Sequence, residues 1–363
     1  MKIFKIVLTG GPCAGKTTAV NVIKKHLREL KIPCVIVPET ATELIPNFID
    51  DEIDDLYNFQ KLIMKRQLVK EDDAFDYVKN KFQNKDKCVI IYDRGIVDNL
   101  AYLNDINQYR KMLNNFLLGE MQVLDRYDLV LDLLSLATCK SNEYNCLNNN
   151  ARKETSDLAA LVDYRTSMAW ANHHNLRILS SEVSLQEELK SIIDMVDNLI
   201  FQNEVVKRER YLIDLDRSDL SQYNTLNYLD VCEHHFQIDD NNYIKCVVSV
   251  RYKRDASYLL ELYKEENNQK IIVYREIIDS DDLGTLCRKS KFIGGAKKRE
   301  INFIDNKVLY SLSIYDDRAY LEVQNNNCDK EIIIPQGICL SKESIINNDS
   351  INKSIEYVRK LIK

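Results

Sequence analysis

Gly10, Gly11, Pro12, Cys13, Ala14, Gly15, Lys16, Thr17 and Thr18 follow one another in a stretch that satisfies G-x-x-x-x-G-K-[ST]. The chemistry of that spacing is phosphate binding. Glycines let successive backbone N–H groups curl around a β-phosphate at a helix N-terminus, where the helix dipole also favours negative charge. Lys16 is expected to bridge the β- and γ-phosphates, and Thr17 to supply a hydroxyl ligand to Mg²⁺, which keeps most of its water. The motif is preceded by an apolar run ending at Leu8 and followed by a helical pattern, the context it requires. The expectation is a bound nucleoside triphosphate, GTP or ATP, with Mg²⁺.

Other residues are candidates to complete such a site. Cys88 to Tyr92 form an apolar run that ends in Asp93, where an acid orients magnesium or its water. Arg94, next in sequence, reads either as a phosphate contact or as a salt bridge holding the following helix, and Asp98 one turn later has the same standing. Glu39 follows the second strand candidate, at the carboxyl end where α/β sheets place their ligands. It reads as a base or water-positioner, or as a helix cap; Glu43 reads as structural. Arg152, between the fourth and fifth strand candidates, is a candidate phosphate clamp on a mobile lid, since a guanidinium binds phosphate oxygens in bidentate fashion. The pairs His173-His174 and His234-His235 read as structural, because adjacent side chains diverge and no carboxylate spacing supports a metal. Trp170 reads as core.

These groups must be positioned by secondary structure, and the pattern changes near residue 204. Strand candidates Ile3–Leu8, Cys34–Pro38, Val89–Asp93, Leu129–Leu133 and Leu176–Leu179 alternate with helical stretches 15–30, 53–80, 105–125, 154–172 and 184–202. That alternation predicts a parallel sheet flanked by helices, joined by right-handed crossovers. Beyond residue 204, runs at 243–252, 257–263, 269–278, 300–304, 307–314 and 319–324 read as antiparallel strands, with weaker helices at 280–289 and 350–362. Two domains follow, 1–203 an α/β P-loop domain and 204–363 a mainly antiparallel β domain, joined by a segment without a Gly, Ser or Pro cluster.

Composition excludes several classes. The 363 residues carry a net charge of −6, with 45% hydrophobic and 29% charged residues. That is ordinary for a globular protein, and with acid and base nearly balanced in the second half a nucleic-acid coat is not expected. Ten scattered cysteines without a C-x-x-C pair suggest reduced thiols in the cytoplasm. The longest apolar runs fall far short of the roughly 20 residues of a spanning helix, which leaves only peripheral membrane contact open.

Three features together resemble a P-loop family related to nicotinamide riboside kinase: the Gly10-to-Thr17 loop, Asp93-Arg94-Gly95 with Asp98, and Asn149-Asn150-Ala151-Arg152 with Glu154. In one branch, the TRPL translocation defect protein family, such a domain precedes a CYTH-like β domain, and the domain order here is similar. That resemblance implies GTP binding, phosphoinositide binding and a role in membrane trafficking. A guanine-reading N-K-x-D element is not visible. CYTH enzymes open their β domain with Glu-x-Glu-x-Lys, whose side chains point into a tunnel for triphosphate and metal. Here Val206 and Arg208 stand where the acids belong, and only Arg210 keeps its sign. Strand residues two apart share a face, so Arg208 and Arg210 are expected to point inward, joined by Arg251 and Lys253, or else to face solvent. Lys297-Lys298-Arg299 reads as a solvated turn or as a contact with a phosphoinositide membrane.

The resulting expectation is a nucleotide-binding protein in which GTP or ATP controls engagement of a phosphorylated anionic ligand by the β domain. The alternative is a small-molecule, nucleoside-type kinase using Lys16, Asp93, Arg152 and Glu39. A triphosphatase in the β domain stands behind both, because its acidic pair is missing.

Overall fold

The structure is a computed structural model. It describes residues 1–45, 55–103, 105–135, 138, 156–179, 184–201, 206–237, 245–266, 269–324 and 333–341. Arg152, its neighbours from Asn149 to Glu154, the joining residues 202–205 and the expected helix at 350–362 lie outside the described residues. The chain folds as two compact units, 1–200 and 201–363.

The first unit is a five-stranded parallel sheet with order β2-β3-β1-β4-β5. The strands are β1 (Lys2–Thr9), β2 (Cys34–Val37), β3 (Lys87–Asp93), β4 (Leu129–Leu133) and β5 (Leu176–Leu179). Strands covered on both faces read as continuous apolar runs rather than alternating ones, and β4 is buried at all five positions. β1 lies at the centre, paired to β3 on one side and β4 on the other. The helices are α1 (Lys16–Glu29), α2 (Thr40–Leu44), α3 (Leu56–Lys81), α4 (Ile106–Asn115), α5 (Glu120–Leu124), α6 (Ser156–Trp170) and α7 (Leu185–Phe201), with a 3₁₀ segment at Ile96–Tyr102. α1 and α7 cover one face, burying Ala19, Ile23 and Leu27 with Ile192, Val196 and Ile200 against Ile6, Leu8 and Leu131.

Two local features follow from side-chain chemistry. Asp55 caps α3 by accepting from Asn58 N at 3.1 Å. The stretch expected as one helix over 105–125 is two, α4 and α5. Leu117 enters the left-handed region at φ 56°, which ends α4, and Gly119 then opens α5 with its N–H held by the Gln122 carboxamide at 2.8 Å.

The second unit is a closed antiparallel barrel of eight strands, ordered β10-β6-β13-β12-β11-β7-β8-β9. They are β6 (Val206–Leu212), β7 (Tyr228–Gln237), β8 (Lys245–Tyr252), β9 (Ala256–Glu266), β10 (Gln269–Ile278), β11 (Lys291–Asp305), β12 (Val308–Ile314) and β13 (Ala319–Gln324), with α8 (Ser280–Lys289) between β10 and β11. Leu286 of α8 packs with Phe236, Val248, Leu260 and Leu262.

Two strand segments escape sequence reading. β7 as a whole, and β11 before residue 300, carry charge or glycine where apolar alternation is expected. The Lys297-Lys298-Arg299 cluster is therefore mid-strand and not a turn. Lys298 is nearly buried, while Lys297 and Arg299 are exposed.

Gly95 marks a close approach in the first unit. A Cβ there would sit 2.7 Å from the Trp170 ring, and Trp170 is itself fully buried against Tyr127. Gly95→Ala is expected to cost about 1–3 kcal/mol by overpacking. Thermal or denaturant unfolding checks this, with a lowered midpoint as the expected result.

Candidate functional site

The register of the parallel sheet brings the carboxyl ends of three strands together. Leu8 pairs with Asp93, and Thr9 with Asp132. The loop that leaves β1 runs directly into α1 and is shaped by its glycines. Gly10 has φ 124°, and a Cβ there would lie 1.9 Å from the Leu133 carbonyl oxygen. Cys13 at φ 57° and Gly15 at φ 79° are also left-handed, turns of the kind that aim successive N–H groups into one concavity.

Lys16 opens α1 and folds back over this loop, its Nζ donating to the Gly10 and Gly11 carbonyls at 3.0 and 2.8 Å. Burial, aided by the Arg94 charge, pulls its pKa down to about 8. Thr17 and Thr18 are exposed on the first turn of the helix.

Arg94 is also left-handed, at φ 73°. Its Nε meets Glu39 Oε1 at 2.7 Å, and its Nη1 lies 3.6 Å from Asp98 Oδ1. Of the two readings of Arg94, the ion pair describes this geometry. Glu39 also accepts from the Thr42 hydroxyl at 2.5 Å. Burial works to raise the Glu39 pKa, but Arg94 and Thr42 outweigh it and hold the carboxyl at about 2. A carboxylate so held is a weak proton acceptor at neutral pH. Glu43 meets the Lys70 ammonium at 2.7 Å. Asp93 differs: its Oδ1 has no hydrogen-bond partner among the described residues, and burial raises its pKa more than Lys16 lowers it.

Three acids on this side were not singled out from sequence, or only in passing. Asp98 is buried, accepting from the Thr9 hydroxyl and, at 2.6 Å, from Gly95 N. Asp132 is fully buried, accepts from the Ser167 hydroxyl and leaves Oδ1 without a partner among the described residues. Burial, reinforced by the charge of Asp163, lifts its pKa to about 8. Asp163 of α6 ties the site together: Oδ1 accepts from Gly11 N at 2.6 Å, while Oδ2 accepts from Ser135 N at 3.0 Å and the Thr138 hydroxyl at 2.6 Å. A Cβ on Gly11 would come within 2.7 Å of Asp163 Oδ1, so the contact requires a glycine at a position the motif leaves open. No local sequence signal identifies Asp163, which lies 152 residues from Gly11. Asp132, by contrast, stands in view as the one acid within the apolar run of β4.

The first histidine pair packs within the first unit. His173 is buried, with Nε2 on the Tyr127 carbonyl at 3.0 Å and Nδ1 accepting from Asn175 N at 3.1 Å. His173 and His174 do not diverge; past the end of α6 their rings stack at 4.5 Å. Among the described residues no cluster of three or more His, Cys, Asp or Glu is arranged to hold a metal.

The barrel interior is charged. Glu322 of β13 approaches Arg208 at 3.4 Å and Arg210 at 3.5 Å on β6, and Lys270 at 3.6 Å on β10. β6 lies between β13 and β10, so the last contact passes through the interior. Glu261 meets Lys270 at 3.2 Å and Arg275 at 2.8 Å. Lys298 meets Glu233 at 3.0 Å and Glu300 at 2.8 Å. Arg251 is buried, registered opposite Val231 and Ser257, and its Nη2 donates to the Ser257 hydroxyl at 2.5 Å. Burial raises the Glu322 pKa, but Lys270, Arg210 and Arg208 hold it at about 2. Glu233 and Glu261 lie lower still, because the cations facing them outweigh burial.

Two corrections follow. Lys253 sits past the end of β8, in the turn before β9, so strand alternation does not join it to Arg208 and Arg210. Nor has the interior exchanged acid for base: acids missing from the inner face of β6 are present on β7, β9, β11 and β13.

A parallel α/β sheet, a G-x-x-x-x-G-K-T loop between its central strand and first helix, and a lysine folded over that loop define a P-loop nucleotide-binding protein. The family model described as an AAA domain matches residues 5–187, just over half of the chain, and the chain belongs to that family. No curated protein matches it. Among solved structures, a putative adenylate cyclase from Bacillus halodurans is similar at 10% identity and TM-score 0.28, covering 34% of this chain and 82% of that one. A conserved hypothetical protein from Pyrococcus furiosus is similar at 13% identity and TM-score 0.27, covering 44% and 90%. A protein from Pyrococcus horikoshii OT3 is similar at 12% identity and TM-score 0.27, covering 34% and 80%. No helix among the described residues is long and apolar enough to cross a membrane.

The pKa of Asp132 gives a pH prediction. Between its ordinary value of 3.8 and its folded value of about 8, the folded protein holds a proton that the unfolded chain has lost. Stability from this group is therefore full below pH 4 and falls as pH rises toward 8, by up to about 1.4 kcal/mol per pH unit. Asp132→Asn should flatten that slope, so denaturant unfolding at pH 5 and pH 8 should show the variant gaining on the wild type at the higher pH.

Proposed function

We propose that the chain binds a nucleoside triphosphate, GTP or ATP, together with Mg²⁺ at the P-loop, and that its barrel holds a phosphorylated anionic ligand such as a phosphoinositide headgroup, under control of the nucleotide. The observation that carries the nucleotide half is Lys16 folded onto the Gly10 and Gly11 carbonyls, poised to exchange those contacts for phosphate oxygens. Mg²⁺ fits the donors present: the exposed Thr17 hydroxyl and Asp93 Oδ1, unpartnered among the described residues, are hard oxygen ligands. There the ion would neutralise phosphate charge. Arg152 is proposed as the phosphate clamp on the segment between β4 and α6.

The barrel half rests on Arg208, Arg210, Arg251, Lys270, Arg275 and Lys298, which among the described residues outnumber the facing Glu233, Glu261, Glu300 and Glu322. An anionic ligand entering there would compete with the glutamates for cations already in position. The closed eight-stranded antiparallel barrel fits a CYTH-like fold, and the resemblance to the TRPL translocation defect branch supports a phosphoinositide and membrane trafficking as the setting.

A second reading, metal-assisted triphosphate chemistry in the barrel, is favoured by one observation, the four inward glutamates. Activity on inorganic triphosphate that survives Lys16→Ala and is lost on Glu322→Gln would favour it. For a small-molecule kinase, Asp93 is a better proton acceptor than Glu39, whose carboxylate Arg94 already holds.

Calorimetry with ATP and GTP tests the principal reading. Lys16→Ala should weaken nucleotide binding about tenfold to a hundredfold, the worth of a charge-assisted contact to phosphate. An inositol phosphate headgroup should bind the barrel with an affinity that changes when nucleotide is present, and linkage requires the reciprocal change. Rapid stoichiometric phosphorylation of a nucleoside by the purified protein would overturn this reading.

Glu322→Gln gives an independent check. Removing the shared carboxylate charge leaves Arg208, Arg210 and Lys270 facing one another, at a cost of about 3–5 kcal/mol. Added inorganic triphosphate should restore the melting temperature of this variant more than it raises that of the wild type.

A further inference from the structure

β11 begins with two consecutive exposed apolar residues, Phe292 and Ile293, which are 55% and 64% exposed. Among the described residues of the second unit no other large apolar side chains are exposed side by side. The backbone explains their prominence. The β11–β7 register slips between Phe292 and Gly294, leaving Ile293 as the extra residue of a bulge. A Cβ on Gly294, next to Ile293, would meet nothing within 4 Å. Phe292 is anchored from the side, its ring 5.8 Å from that of the buried Phe236 registered opposite it on β7.

The surroundings are cationic. Arg288 and Lys289 end α8, Lys291 precedes the pair, and all three are exposed. The outward residues of the next turns of β11 are Lys297 and Arg299, also exposed, with Arg299 lying over the Tyr228 ring at 4.2 Å. Asp230, registered opposite Arg299, is the acid on this outer face of β7. An aromatic and a branched aliphatic residue raised on a bulge and ringed by lysine and arginine suit a surface that is apolar a few ångströms down and anionic at its boundary. A protein partner would have to match both the protrusion and the ring of charge; a bilayer containing anionic lipid does so without specific design.

We propose that the start of β11 docks the protein on an anionic lipid surface, with Phe292 and Ile293 entering the headgroup–acyl boundary and Lys289, Lys291 and Lys297 meeting lipid phosphates and carboxylates. The surface is outside the barrel and separate from the interior charges assigned to a headgroup above, so the two can be tested apart.

The experiment is co-sedimentation of the full chain with vesicles of phosphatidylcholine alone and of phosphatidylcholine mixed with phosphatidylserine, at low and raised salt. The wild type should bind the mixed vesicles, should not bind the neutral ones, and should be released by salt. The double substitution Phe292→Ser with Ile293→Ser should weaken binding about tenfold or more. Lys291→Gln should weaken it about fivefold, near the worth of one basic residue at such a surface. Ile293→Ser alone, at the bulge, guards against loss through misfolding, and each variant's melting curve confirms that it is folded. Lys79→Ala, at an exposed position of α3 in the first unit, should leave phosphatidylserine binding unchanged. The proposal is overturned if mixed vesicles are not bound, if binding is unaffected by the double substitution, or if the substitution instead abolishes self-association or nucleic-acid binding.

Discussion

A charge removed from water must find a partner, and in both units of this protein that requirement decides where functional side chains sit. In the first unit it draws Arg94 to Glu39 and Asp98, and it sets the Asp163 carboxylate against the backbone N–H of Gly11 and of Ser135. In the second it fills a barrel interior with alternating lysine, arginine and glutamate. Remove one member of such a set and the others are left uncompensated. The geometry of each site is therefore held by its neighbours more than by its own strand or helix.

In the P-loop unit, this pairing fixes the loop before any ligand arrives. Asp163 joins the loop leaving β1 to the exit of β4 by accepting from both, and the Ser135 hydroxyl adds a bond to the Pro12 carbonyl. Lys16 waits on the carbonyls of Gly10 and Gly11. The charge contacts of Arg94 are internal, and Gln67 secures its carbonyl oxygen at 2.9 Å. Two carboxylates stand apart from this pairing, Asp93 and Asp132, each with one oxygen lacking a partner among the described residues. Unsatisfied buried oxygens beside a phosphate loop are where strain gathers around function.

The barrel shows how a site can be misjudged from one strand. β6 offers Val206 and Arg208 where an acidic pair would be expected, and taken alone it implies a purely cationic interior. The closed sheet brings acids from β7, β9, β11 and β13 onto the same inner face. Closure also decides which of Lys297, Lys298 and Arg299 are available to solvent, because alternation along β11 sends only Lys298 inward.

The sequence by itself determined the nucleotide loop, the parallel sheet around it and the change to antiparallel strands near residue 204. These rest on local signals: glycine where φ must be positive, lysine and threonine at fixed offsets, and apolar runs that β1, β3 and β4 bury on both faces. It also presented Asp93, Glu39 and Arg94 as neighbours of the site, but left open which of them pair. Only the tertiary structure decided that Glu39 is held by Arg94, that Asp163 anchors Gly11, and that β7 is a strand at all. Asp163 and Gly11 meet across a separation of 152 residues, which no spacing rule can span. β7 carries Glu233 and His235 on its inner face because the barrel core there is ionic, and a reading that expects apolar residues inside passes over a strand whose interior is built of charge.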